Sequence, residues 1–351
     1  MANEYDKKIL NVITSLTTLI IFLLASIIAM SILLYNYMPK YVPSKDITVE
    51  ITSSTTTTEA KDIDTIKYWQ APDITTLEGG DKDLVLYGKE LITHTSDFYG
   101  VKGKILKSST NGMNCQNCHL DAGTKVFGNN YSAVESTYPK FRARSGSMEN
   151  IYKRVNDCFE RSLNGKAIDT TSKEMQGIVA YIKWLGKDVS KGTVPEGAGL
   201  KKMAFLDRAA SPEKGKNIYS QKCVTCHQAD GLGKINEEET AYIYPPLWGN
   251  HSYNDGAGLF RMSNFAKYIK YNMPLGASYN SPLLTDEEAW DIAAFVNSQS
   301  RPKKNIKKDW PKIEEKPFDH PFGPYKDGFS EEQHKYGPFQ PIKDKIASLK
   351  K

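Results

Sequence analysis

The chain has 351 residues, 40% of them hydrophobic and 25% charged, an ordinary folding composition with room for two or three compact units. That balance excludes a wholly disordered polymer, and 25 Gly with 17 Pro that follow no period exclude collagen. The formal charge of +5 arises entirely after residue 300, where 13 Lys+Arg face 8 Asp+Glu, so no basic footprint covers the body and no nucleic-acid partner is expected.

From Ile9 to Tyr35 the sequence carries no charge; Lys7 and Lys8 precede it and the next lysine is Lys40. As a helix this stretch rises roughly 40 Å at ~1.5 Å per residue, enough to cross a ~30 Å hydrocarbon core with tilt. The leading cations place the N-terminus in the cytoplasm. A signal peptide would have a shorter apolar region, about 7–15 residues, and a small-residue cleavage site, which does not occur before Tyr35. Residues 1–38 are therefore predicted as a cytoplasmic N-terminus and an uncleaved single-pass anchor in the inner membrane, with the bulk of the chain in the periplasm. Residues 39–64, including Ile51-Thr-Ser-Ser-Thr-Thr-Thr-Thr-Glu59, read as a Thr/Ser-rich linker with little to bury.

Four of the five cysteines fall in Cys115-Gln-Asn-Cys118-His119 and Cys223-Val-Thr-Cys226-His227. Two thiols three positions apart can attach to the two vinyl groups of one haem, and the next residue turns its imidazole onto the iron. A disulfide or a zinc site would explain the cysteine pairs but not a histidine directly after each. Two covalently bound haem c groups are predicted, held by Cys115, Cys118, Cys223 and Cys226, with His119 and His227 as axial ligands.

Each motif is bracketed by helices. Leu84–Ile92 and Ser172–Trp184 flank the first; Ser211–Tyr219, with Ser211 as N-cap and Pro212 in the first turn, and Thr285–Val296 flank the second. In the last of these Ala289, Ile292, Ala293 and Val296 form one apolar face. Gly88 and Gly215 hold similar places in the leading helices, where a missing side chain lets the closing helix cross closely. This arrangement resembles the class I cytochrome c fold, twice over. The predicted class is mainly α, with a haem 1 domain at 65–198, a haem 2 domain at 199–300 after a Gly-rich boundary near Gly192–Gly199, and an extended tail over 301–351 packing on both. Seven of the 17 prolines lie in that tail. His94, His251, His320 and His334 are expected to be surface or packing residues.

The sixth ligands separate chemistry from electron transfer. For haem 2 the best placed is Met273, in a Pro loop ahead of the closing helix, with Met262 the competitor and Met203 third. The first half has no such methionine: between His119 and its closing helix only Met148 occurs, read as the start of a helix that carries the fifth cysteine and stops at Gly165. In that helix Arg154, Cys158 and Ser162 recur at i, i+4 and i+8 and share a face. A guanidinium one turn from a thiol favours the thiolate, and an iron in need of a sixth ligand would account for an unpaired cysteine in an oxidising compartment.

The segments Cys115-Gln-Asn-Cys-His-Leu-Asp-Ala-Gly123, Tyr138-Pro-Lys-Phe-Arg-Ala-Arg144, Arg154-Val-Asn-Asp-Cys-Phe-Glu-Arg-Ser-Leu-Asn-Gly165 and Asn272-Met-Pro-Leu-Gly276, with the tail Phe322–Phe339, resemble the dihaem c-type thiosulfate dehydrogenases. The resemblance runs from about residue 80 to 342. It implies an oxidoreductase that joins two thiosulfates into tetrathionate, in some members also in reverse, and passes the electrons to an external cytochrome c or terminal oxidase. It implies that Cys158 is the thiolate ligand opposite His119 and a nucleophile toward thiosulfate. Arg144, Arg154 and Ser162 would then cradle the sulfonate groups, with Gln176 a further candidate. Arginine's planar fork suits such oxyanions. Some relatives carry a lysine where this chain has Asn272, whose amide is a poor iron ligand, so plain His227/Met273 ligation is expected. The alternatives are a non-catalytic, membrane-anchored dihaem electron carrier and a ligand-sensing cytochrome; Cys158 with Arg154 and Ser162 on its face separates the enzyme from both.

Overall fold

A computed structural model describes residues 2–37 and 67–349; the predicted linker lies outside the described residues. Helix α1 (Ala2–Tyr37) contains Ile13–Ile32, a stretch long and apolar enough to cross a membrane. Its polar side chains turn inward on their own helix: Thr14, Thr17, Thr18, Ser26 and Ser31 each donate to the carbonyl four residues back. Their hydroxyls are thereby satisfied without water, as a hydrocarbon setting requires.

Residues 64–351 form a second compact unit. It begins with α2 (Lys82–Thr93) and runs through the first C-x-x-C-H to a short hairpin, β1 (Lys140–Arg142) paired antiparallel with β2 (Ser147–Glu149). The fifth cysteine lies on α3 (Ile151–Arg161), and α4 (Lys173–Leu185) closes the first half. The second half repeats the scheme with α5 (Pro212–Lys222), α6 (Met262–Asn272) and α7 (Asp286–Ser298). Caps set the starts of these helices: Ser172, Ser211 and Thr285 accept from the backbone three residues on, and Thr285 forms a capping box with Glu288.

The leading and closing helices cross at Gly88 and Gly215, as the sequence predicts. A Cβ on Gly88 would lie 1.9 Å from the Gly177 carbonyl oxygen, and one on Gly215 would lie 1.9 Å from that of Asp291. Each crossing anchors its own core. Leu91, Met175, Ile178 and Tyr181 fill the first; Ala289, Ile292, Ala293 and Val296 bury the predicted apolar face of α7 in the second. The halves also exchange residues: Tyr253 and Phe260 pack in the first core, and Leu120 packs on the second. The Gly192–Gly199 segment is pinned to the first half, since Phe127 N–H donates to Gly197 O and Asn129 N–H to Gly199 O.

Three local expectations need correction. Met148 lies on β2, not on a helix, because Asn150 caps α3 by accepting from Lys153 N–H. The helix stops at Arg161, and Asn164 (φ 45°), not Gly165, takes the left-handed position after it. The tail is irregular up to Ser330 and then helical, in α8 (Glu331–Tyr336) and α9 (Gln340–Leu349). Ser330 caps α8, and Phe339 and Ile342 bury into the second core, so packing outweighs the proline content.

The glycine crossings predict a stability signature. Gly88→Ala and Gly215→Ala should each cost about 1–3 kcal/mol by overpacking against backbone, whereas Gly80→Ala, with nothing within 4 Å, should be neutral. Thermal melting of the three variants checks this; a Gly88→Ala protein melting with the native one would mean the helices can separate.

Candidate active site

The first C-x-x-C-H is held from beneath by α2. Thr95, just after that helix, accepts from Cys115 N–H at 3.0 Å while its hydroxyl donates to Leu91 O at 2.7 Å. Asn114 and Asn117 close a reciprocal capping box around the cysteines. His119 then faces Asn129 O with Nδ1 at 2.5 Å and stacks on Tyr131 at 4.5 Å. A carbonyl can only accept, so Nδ1 carries the proton and Nε2 keeps the lone pair a metal needs. Burial pushes the His119 pKa down to about 4 and holds the ring neutral. The chain leaves the motif through Asp121 and Ala122, both at φ 54°. Such left-handed residues cost of order 1 kcal/mol each and persist where surrounding contacts over-determine them; Tyr181 Oη donates to Ala122 O at 3.1 Å.

Helix α3 supplies another wall. Ile151, Val155 and Phe159 are buried in the core and form apolar lining of the cavity, to which Arg154, Cys158 and Ser162 add the polar groups. Arg154 Nη1 lies 3.0 Å from Cys158 Sγ. The charge on Cys158 is the main cause that raises the Arg154 pKa above its ordinary value, outweighing burial. Cys115, Cys118, His119, Arg154, Cys158 and Ser162 all line one cavity of about 430 Å³. None of the five cysteines is disulfide-bonded. Both cysteines of the motif, a neutral imidazole and a further sulfur around one cavity are a donor set that fits a c-type haem.

The same cavity is rich in cations. Successive side chains alternate across a strand, so Lys140 and Arg142 of β1 line it with Arg144, while Phe141 between them is exposed. Arg161 also lines it. Arg144 makes no ion pair with a carboxylate among the described residues, and burial, then Arg161 and Arg154, pushes its pKa down to about 10. It stays charged at neutral pH, and an arriving anion would relieve the repulsion. Lys140, Arg142 and Arg161 were not singled out from sequence, although the Lys-Phe-Arg-Ala-Arg alternation carries the signal for the first two.

Gln176 is not brought to this cavity. Its Oε1 accepts from Tyr152 Oη at 3.1 Å and its Nε2 donates to Thr170 O at 2.6 Å, beside a separate surface groove. The substrate role expected for it is therefore dropped, because its amide is committed to holding α4 against α3.

In the second half His227 repeats the logic of His119, with Nδ1 2.9 Å from Pro245 O and burial lowering its pKa. Cys223 caps α5, its N–H donating to Tyr219 O, and Cys226 and His227 follow in one short turn. Met273 ends α6, half-buried, with N–H donating to Ile269 O at 2.9 Å. Met262 is buried in the second core, and Met203 packs on its edge. Asn272 is spent on structure: its Nδ2 donates to Phe127 O and Tyr268 O, tying the two halves together. Tyr268 adds a second tie, donating to Asn117 O of the first motif at 2.8 Å. Of the other histidines, His94 and His251 are exposed, His320 faces Phe322 O, and buried His334 has Phe318 O at one ring nitrogen and Asp327 at the other.

Residues 106–192 match the SoxA/TsdA cytochrome c domain family, and residues 212–300 match the cytochrome c family. The chain thus carries two tandem cytochrome c domains, which imply haem c. It is 41% identical over 204 residues to a thiosulfate dehydrogenase of Psychrobacter arcticus, covering 57% of this chain and 60% of the relative. It is 38% identical over 196 residues to a thiosulfate dehydrogenase of Allochromatium vinosum, covering 55% of this chain and 71% of the relative. Among solved structures it is similar to the thiosulfate dehydrogenase (TsdBA) of Marichromatium purpuratum, with a TM-score of 0.63 at 27% identity, over 78% of this chain and 54% of that one. The matches thus span less than two thirds of the Psychrobacter relative and about half of the Marichromatium chain.

The placement of Gln176 is testable. Gln176→Ala should lower stability by about 1 kcal/mol through two lost hydrogen bonds and leave turnover at the native level. A fall in turnover with unchanged melting would return Gln176 to the site.

Proposed function

The chain belongs to the thiosulfate dehydrogenase family, and from that premise we propose that it joins two thiosulfates into tetrathionate, or runs the reverse reaction, in the cavity around Cys158. The observation that carries this reading is the Arg154–Cys158 contact of 3.0 Å in the same cavity as Cys115, Cys118 and His119. A non-catalytic electron carrier has no use for a guanidinium-paired cysteine beside a row of free cations.

Cys115 and Cys118 would hold the first haem covalently, with His119 and Cys158 as donors to its iron; Cys223 and Cys226 would hold the second, with His227 and Met273 as donors. When bound, the two haems supply one-electron acceptors that take up the two electrons released. The protein's own groups do the rest. Arg154 donates to the Cys158 sulfur, and Arg144, Arg154 and Ser162 bind the sulfonate oxygens by charge-assisted hydrogen bonds. Lys140 and Arg142 draw the dianion in.

The Cys158 sulfur and the outer sulfur of one thiosulfate form a bond with loss of two electrons, giving a cysteine S-thiosulfonate. The outer sulfur of a second thiosulfate attacks that adduct at the sulfur bonded to the sulfonate. Tetrathionate leaves, and Cys158 returns as thiolate. Charge balances without a proton, since two dianions become one dianion and two electrons. Each attack is thiolate-type displacement at sulfur.

The long apolar helix would anchor the protein in the inner membrane, with both haem domains (65–198 and 199–300) and the tail in the periplasm, feeding an external cytochrome c or a terminal oxidase.

The deciding experiment is reduction of the haems by thiosulfate under anaerobic conditions. Native protein should be reduced by thiosulfate or, once reduced, oxidised by tetrathionate. Cys158→Ala should lose at least ~10³-fold in rate, the scale for removal of a nucleophile. A native protein inert to both sulfur anions would leave the electron-carrier function instead. Magnetic circular dichroism should show one thiolate-ligated and one methionine-ligated haem, and Met273→Leu should abolish only the latter signature. If Met262→Leu abolishes it instead, the ligand is Met262.

A further inference from the structure

We propose that the tail segment Asp309-Trp310-Pro311 is a positioning clip for the cavity: it seats Arg144 and Arg161 and, through the Asp309 carboxylate, limits how many cations are free to receive an anion. The proposal rests on the reading of the cavity as an oxyanion site.

Three contacts build the clip. Asp309 pairs with Arg161 through both oxygens, at 2.8 and 2.9 Å, across 148 positions of sequence. Both side chains are nearly buried, at 12% and 10% exposure, so solvent screens the pair little. The Trp310 N–H donates to Arg144 O at 2.7 Å, and its ring lies 5.9 Å from the Arg144 guanidinium carbon. The Pro311 ring covers the hairpin turn so closely that a Cβ on Gly146 would come within 2.6 Å of it.

The backbone supports a dedicated role. Trp310 sits at φ 59°, a conformation bulky residues avoid unless their surroundings impose it. The clip also divides the labour of the arginines. Arg161 is neutralised by Asp309, whereas Arg144 is held in place by a ring and a backbone hydrogen bond that leave its charge unspent. Asp309 therefore keeps one of the cavity's cations out of play.

Charge limitation and simple structural support predict opposite signs. In the oxidised holoprotein, calorimetric titration with sulfate, the isostere of thiosulfate without a reducing sulfur, reads the anion affinity without turnover. Asp309→Asn should tighten sulfate binding about 5-fold, as one freed charge a few ångströms away would, with a steeper dependence on ionic strength. Arg161→Gln, which leaves the carboxylate uncompensated, should weaken it by a similar factor. Asp309→Asn binding sulfate as native or more weakly overturns charge limitation, as does a native-like Arg161→Gln should Asp309→Asn fail to fold.

For the seating of Arg144, Trp310→Ala should raise the KM for thiosulfate about 10-fold, the loss of roughly one well-placed contact, with kcat within about twofold, and Trp310→Phe should recover most of it. Trp310→Ala with a native KM overturns the seating. A native protein that binds sulfate but is not reduced by thiosulfate would lose the proposed reaction and leave the clip standing. Native-like binding by the charge variants would lose charge limitation and leave the reaction.

Discussion

A sulfur carrying charge inside a protein needs a fixed cation within hydrogen-bond reach, because burial otherwise drives it neutral. In this protein that condition is met within one helical turn, by Arg154 donating to Cys158 at 3.0 Å. Much of the first half serves to keep that contact in place. The apolar stripe Ile151, Val155 and Phe159 fixes the rotation of α3. Asn150 fixes its start, and Asn254 of the second half clamps its end, with its N–H on Arg161 O and its side chain on Glu160 O. Arg154 is thus held by packing on a rigid element, and the cavity charge it sets is as reproducible as the helix itself.

The distinction between the cysteines follows from surroundings. Among the described residues Cys115 and Cys118 have no cationic partner, and burial pushes both thiols up to about 12. Cys158 alone has a guanidinium at hydrogen-bond distance. Three cysteines thus share one cavity in two different surroundings, and the arginine is what separates them.

The local features of this architecture are legible in the sequence, and the non-local ones are not. The C-x-x-C-H motifs, the caps at Ser172, Ser211 and Thr285, and the common face of Arg154, Cys158 and Ser162 each lie within a few turns of chain, where spacing fixes geometry. Gly88 and Gly215 are legible because a pair of equivalent glycines in two leading helices implies a backbone crossing. Gln176 misleads because family position says nothing about which neighbours claim an amide; Tyr152 and the Thr170 carbonyl claim it here. The Asp309–Arg161 pair, the Tyr268–Asn117 contact and the Asn272–Phe127 contact span 148, 151 and 145 positions, beyond the reach of any local periodicity. The helical end of the tail is hidden for a related reason: Phe339, just before α9, and Ile342 within it are buried in a core made elsewhere.

Three of the tail's eight acids are spent on fastenings to the interior: Asp309 on Arg161, Asp319 on Arg261 with Nε at 2.7 Å, and Asp327 on His334. Asp319 is almost wholly buried and also accepts from Ser263 N–H, and its pKa is lowered because Arg261 and these hydrogen bonds outweigh the cost of burial. Lysines such as Lys303, Lys312 and Lys326 remain outside with mostly exposed side chains. The carboxylates that turn inward act as fastenings rather than as surface charge, and one of them, Asp309, is fastened to an arginine that lines the cavity itself.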